Sequence, residues 1–161
     1  MHLPAIGSLI FLALVVVGLL VRKLRGAHGN EANVKVSDIE MVFAKLNAAQ
    51  RDGSFAAFVF TPSPGNSPEN AVNLQFSVEN GCVGFDWVLL APANLRDQNR
   101  FGEFAKARGY SVSERETNGV KYLRIEQGGS LPRLCEAVTS EMYGLSATSD
   151  IDLITEGFSW L

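Results

Sequence analysis

The first apolar block runs without a charge from Leu3 to Val21 and stops at Arg22, Lys23 and Arg25. At about 1.5 Å per residue this stretch makes a helix of roughly 28 Å, close to the thickness of one hydrocarbon core. The pattern predicts a transmembrane anchor over 1–21. A cleaved secretory signal fits less well. Only Met1 and His2 precede the run, and its far flank is bulky and basic instead of Ala-x-Ala-like. Basic residues follow the span and none precedes it, so the C-terminal domain is expected in the cytoplasm. The expectation is a single-pass protein of a bacterial inner membrane. Residues 22–36 are polar and Gly-punctuated, a juxtamembrane linker that can lie on anionic headgroups. The domain then covers 37–161.

Inside the domain the hydrophobic period alternates between helix and strand. Ser37-Asp38-Ile39-Glu40 reads as a capping box, with Ser37 as N-cap, and Ile39, Val42, Phe43 and Leu46 recur behind it at helical spacing. Asp52-Gly53 ends that helix. Residues 54–61 (SFAAFVFT) read as a strand, and Pro62, Pro64 and Pro68 impose a loop. Asn80-Gly81 then predicts a type I′ hairpin. It places Val78, Phe76, Leu74 and Val72 opposite Val83, Phe85, Trp87 and Leu89 on one side. Asn73, Gln75, Ser77, Glu79, Cys82, Gly84, Asp86 and Val88 take the other. A slip of one residue would destroy this separation. Asn94, with Asp97 at N3, is expected to cap a helix bearing Leu95, Phe101, Phe104, Ala105 and Arg108, which ends at Gly109. Asn118-Gly119 predicts a second hairpin. It puts Tyr110, Val112, Leu123 and Ile125 inward and Ser113, Arg115, Tyr122 and Arg124 on a solvated polar face. Ser130 opens a last helix with Leu131, Leu134, Cys135, Val138 and Met142 on one side, stopped by Gly144. The tail can form a strand through Ile151 and Leu153, and its apolar end, Phe158 and Trp160, is expected to dock on the domain.

Charge and composition narrow the function. Of fourteen Lys/Arg, three lie at 22–25, which leaves eleven against seventeen Asp/Glu in 31–161, a net charge of −6. An acidic domain is a poor nucleic-acid binder. The two histidines, His2 and His28, both precede the domain, so no Ser/His/Asp or Cys/His set can assemble within it. No nucleotide-binding glycine motif and no H-E-x-x-H is present. No catalytic residue, cofactor or metal is therefore expected. Asp86, an isolated strand carboxylate, reads as a surface residue. Cys82 and Cys135 are too far apart to announce a metal site, and a cytoplasmic location keeps both reduced.

These elements add up to an α+β fold. The N-terminal transmembrane helix is followed by a two-layer sandwich of antiparallel sheet with helices on one face. The order helix, three strands, helix, two strands, helix over residues 37–143 resembles type III secretion chaperones and the similar YbjN-type bacterial proteins. The resemblance rests on topology and implies a dimerising domain that holds a segment of another protein. Membrane-anchored protein binding, chaperone-like or adaptor in kind, is accordingly the expected role. A toxin-neutralising immunity protein and a structural subunit of a membrane assembly are the alternatives. The expected contact residues are Arg115, Tyr122 and Arg124 on the polar face, with Phe158 and Trp160 in the tail, since Tyr and Arg supply much interface energy.

Overall fold

The computed structural model describes residues 30–62 and 67–160. The expected anchor over Leu3–Val21 lies outside them. Among the described residues no helix is long and apolar enough to cross a membrane. The fold is α+β. In the described residues, strands β1 (Asn30–Lys35), β2 (Phe55–Phe60), β3 (Val72–Glu79), β4 (Cys82–Val88), β5 (Ser113–Thr117), β6 (Val120–Ile125) and β7 (Asp150–Glu156) form one sheet. Its order is β1-β7-β2-β3-β4-β6-β5, and every pairing is antiparallel.

Both Asn-Gly turns form as the sequence dictates. Asn80 and Gly81 take φ of 53° and 73°, Asn118 and Gly119 take 53° and 79°, and these left-handed pairs are what a type I′ turn requires. The first hairpin then pairs Val78 with Val83, Phe76 with Phe85 and Leu74 with Trp87. The second pairs Glu116 with Lys121 and Glu114 with Leu123. Strand β1 corrects the assignment of 22–36 to a linker. Glu31, Asn33 and Lys35 alternate with Ala32 and Val34, which is strand periodicity, and the strand pairs with β7 through Val34 and Ile151. The tail strand therefore sits inside the sheet, between β1 and β2.

Helices α1 (Ile39–Ala49), α3 (Gln98–Ala107) and α4 (Leu131–Ala137) bury their apolar faces in one core with alternate residues of the sheet. Ile39, Val42 and Leu46 of α1 meet Phe58, Leu74 and Phe76, and Phe101 of α3 stacks on Trp87 with ring centroids 4.4 Å apart. Ser130 caps α4 by accepting from the Arg133 amide, as expected. Two other caps differ from the sequence reading. The chain enters α1 through a 3₁₀ turn, Val36–Asp38, in which Asp38, not Ser37, accepts from the Lys35 amide. The helix after β4 begins at Pro92 and not after Asn94. A short α2 (Pro92–Arg96) uses proline at its first position, and the chain resets at Asp97 before α3. Asn94 is thereby released from capping and fully buried. Its amide accepts from the Asn73 amide at 3.0 Å and donates to the Asn73 carbonyl at 2.7 Å, where the β3–β4 ladder has run out. Leu95, expected on an apolar face, is exposed as a result. Beyond α4 the last turn widens into a π-helical turn, Val138–Met142, and still buries Val138 and Met142.

Candidate functional site

The expected polar face is real in composition but is not solvated. Alternation puts Ser77, Asp86 and Arg124 on the side of the sheet away from the three helices, and the β4–β6 ladder sets Asp86 directly opposite Arg124. All three are buried, and the Arg124 side chain is 0% exposed. This corrects the reading of Asp86 as a surface residue and of Arg124 and Tyr122 as contact residues open to a partner. Glycine makes the burial of Arg124 feasible. A Cβ on Gly84 would lie 2.4 Å from the guanidinium carbon, so the arginine lies across the bare backbone of β4.

The Arg124 donors are consumed within the domain. Nη1 donates to Asp86 Oδ1 and to Ser77 Oγ, both at 2.8 Å, and Nη2 donates to the carbonyls of Ser77 and Cys82. Nε donates to Glu126 at 2.7 Å and lies 3.5 Å from Glu79. Ser77 in turn donates to the second oxygen of Asp86. Arg115 bridges Glu79 and Glu126, at 3.1 Å each, and the Tyr122 hydroxyl donates to Glu79 at 3.0 Å. Three carboxylates thus share two guanidinium groups across β3, β4, β5 and β6. Burial pushes the Asp86 carboxyl up to about 6, with Arg124 and Ser77 pulling the other way. Burial also raises the Tyr122 hydroxyl. The hydrogen bond from Arg124 lowers Glu126. Burial disfavours the charge on Arg124, but Asp86, Glu126 and Glu79 outweigh it and keep the guanidinium protonated.

The sequence-selected residues therefore divide. Arg115, Tyr122 and Arg124 meet in one network, and of these three Arg115 alone retains substantial exposure. Phe158 and Trp160 lie elsewhere, packed against the main core, with the Lys45 ammonium 4.9 Å above the Trp160 ring. The tail docks on the domain, as its apolar end suggested. Glu79, Glu126 and Gly84 belong to the network as well and were not singled out from sequence. Among the described residues, no group of three or more His, Cys, Asp or Glu could hold a metal ion. Cys135 is buried and its thiol is pushed well up by that burial, whereas Cys82 is exposed.

Next to the network, on the same side of the sheet, Phe55 and Ala57 form a second apolar cluster flanked by Ile154. Strand alternation adds Val59 to this strip. Among the described residues, the buried helix residues belong to the main core and not to this cluster. Between strip and network lie Asn73 and Gln75, both buried, whose side-chain carbonyl oxygens have no hydrogen-bond partner among the described residues. The outer face thus has an internally paired charged half over β3, β4 and β6 and an apolar half over β7 and β2. No protein-family model, no curated protein and no solved structure matches the chain.

Proposed function

We propose that the chain is a membrane-tethered protein-binding domain, chaperone-like or adaptor in kind, which holds an apolar polypeptide segment on the outer face of its sheet. The anchor over Leu3–Val21 and a cytoplasmic domain at a bacterial inner membrane belong to the same proposal. The observation that carries it is the strip of Phe55, Ala57, Val59 and Ile154. Among the described residues it lies on the side of the sheet away from the three helices and outside the main core. The charged half supports the reading in a different way. Its guanidinium and hydroxyl groups are spent on Asp86, Glu79 and Glu126, so they organise the sheet and leave recognition to the apolar half. An antiparallel sheet with an apolar second face has to cover that face.

The test is capture of partners by the full chain from detergent-solubilised membranes. The wild type is compared with Val59→Asp plus Ile154→Asp on the outer face and with Met41→Asp on the helix side, where Met41 is exposed. A specific partner lost with the outer-face pair and kept with Met41→Asp is the expected result. A partner that survives the outer-face substitutions in a folded protein overturns the assignment. So does robust substrate turnover by the purified chain that disappears on Asp86→Asn.

A further inference from the structure

We infer that Asn80-Gly81 is a self-modification site, at which the chain converts Asn80 to isoaspartate, and that Asp52 holds the site shut in the folded domain. The reaction class is intramolecular deamidation. The Gly81 nitrogen attacks Cγ of Asn80 and forms the new C–N bond of a succinimide. The side-chain nitrogen leaves as ammonia, its third proton coming from the Gly81 amide. One water then opens the ring at either imide bond, giving aspartate or, with the main chain rerouted through Cβ, isoaspartate. Glycine suits the step because no side chain obstructs its nitrogen. Asn80 and Gly81 are both exposed, so water reaches them.

The folded chain ties down the nucleophile. Asn80 and Gly81 are held at φ of 53° and 73° in a turn closed by the Glu79–Cys82 pair. The Gly81 amide donates to Asp52 Oδ1 at 2.8 Å. Asp52 lies in the turn between α1 and β2, and that turn is pinned to the end of β3. The Gly53 amide donates to the Val78 carbonyl at 3.0 Å, and the Val78 amide donates to the Ser54 carbonyl at 2.9 Å. Cyclisation needs the Gly81 nitrogen stripped of its proton and swung toward Cγ of Asn80. Asp52 opposes both. A carboxylate is far too weak a base to take an amide proton, and its negative charge disfavours the amide anion. Its hydrogen bond also fixes the peptide plane. Asp52-Gly53 is itself open to the same cyclisation, and its glycine nitrogen is spent on Val78. The two pairs therefore guard one another, and departure of the α1–β2 turn releases both.

Modification reaches the charged network. Isoaspartate adds one backbone carbon to a two-residue loop and a negative charge next to Glu79. Glu79 accepts from Arg115 and Tyr122, and the Cys82 carbonyl accepts from Arg124, so both residues that flank the turn hold network donors. The site thus records an opening of the α1–β2 turn as a covalent change that loosens the β3–β4 end of the network.

The experiment ages the full chain in mild detergent at pH 8 in heavy-oxygen water. Positions 80 and 118 are followed separately by peptide mass spectrometry, with electron-transfer fragmentation to tell isoaspartate from aspartate. Asn118-Gly119, in the other type I′ turn, is the internal reference. Asp52→Ala should speed heavy-oxygen uptake at position 80 at least about fivefold, the scale set by losing one hydrogen bond to a charged group, and leave position 118 unchanged. In the wild type the Gly81 amide should exchange its hydrogen more slowly than an unprotected glycine amide, and Asp52→Ala should remove that protection. The isoaspartate fraction, separated by ion exchange, should unfold at lower denaturant than the unmodified chain. An unchanged or slower reaction at position 80 in Asp52→Ala overturns the inference. So does an equal rise at both positions, an unprotected Gly81 amide in the wild type, or an isoaspartate fraction as stable as the unmodified chain.

Discussion

Replacing Arg124 by methionine tests the charged half of the outer face most directly. Methionine keeps much of the side-chain length but deletes the Arg124 hydrogen bonds to Asp86, Ser77, Glu126 and the Ser77 and Cys82 carbonyls, leaving Asp86 the Ser77 hydroxyl and Glu126 the Arg115 guanidinium. Asp86 is 2% exposed, and with Arg124 present its carboxyl already sits at about 6. Raising a carboxyl from near 4 to about 6 corresponds to roughly 3 kcal/mol against its ionised form. Loss of the one guanidinium in contact with it adds to that penalty, and breaking a buried ion pair on one side generally costs about 3–5 kcal/mol. For a domain of this size the melting temperature should fall by about 12–20 °C near neutral pH.

The pH dependence has a fixed sign. The folded pKa of Asp86 is raised, so the native state binds its proton more tightly than the unfolded chain does. Its contribution is full below about pH 4 and is lost as pH rises through about 6. Without Arg124 the folded pKa rises further, and the variant keeps losing stability at pH values where the wild type has levelled off. Glu126 acts in the same direction. Its lowered pKa gives the wild type stability above the ordinary carboxylate range that the variant lacks. Urea unfolding at pH 5 and pH 8 should therefore show a gap between wild type and Arg124→Met that widens with pH, and adding Asp86→Asn should recover part of it. A loss below about 1 kcal/mol at pH 8, or a gap that narrows as pH rises, would refute the assignment of Asp86 and Arg124 as a coupled buried pair.

Three further outcomes follow from particular contacts. Gly84→Ala forces a methyl group against the Arg124 guanidinium and should cost about 2–3 kcal/mol in chemical denaturation, while the same change at the uncrowded Gly102 should not destabilise. Asn94→Ala strips the Asn73 amide and carbonyl of their partners and should cost about 2–4 kcal/mol, with faster hydrogen exchange at the Asn73 amide as its local signature. Alkylation of the native protein followed by mass spectrometry should modify Cys82 and spare Cys135 until the domain unfolds.

The two hairpins were legible in the sequence because Asn-Gly turns and alternating faces specify the same register independently. The junction between the hairpins was not. A turn sets only the strands it joins, and β4 meets β6 across thirty-odd residues of intervening chain that include α2, α3 and β5. That long-range pairing brings Asp86 to Arg124. Each hairpin alone shows a polar face, and only their union shows a buried one. Strand β1 was missed for a different reason. Its alternation is complete, but asparagine, glutamate and lysine alternate with only one branched residue, Val34, so composition suggested a linker. Asn94 carried a capping signal that lost to a tertiary use, because Pro92 could start the helix without it.

The place of the charged network suggests what it specifies. The β4–β6 ladder has four residue pairs, Phe85–Ile125 to Val88–Tyr122, and no turn fixes it. A slip of one residue would turn Arg124 into the aromatic core beside Phe85 and Trp87 and bring Leu123 out over Asp86. Burying a guanidinium without Asp86, Ser77 and Glu126 costs far more than the aligned pairing, so the ion pair selects the register even where it adds little net stability. We therefore predict a dissociation of stability from specificity in Arg124→Met combined with Asp86→Leu. Packing two apolar side chains in that closed space should bring stability back to within about 2 kcal/mol of the wild type. The nuclear Overhauser contacts that mark Phe85 opposite Ile125 should nevertheless weaken, and amide signals of β6 should broaden or double as alternative pairings become populated. Sharp single signals with the native contacts intact would mean that the Phe85, Trp87, Leu123 and Ile125 packing sets the register alone.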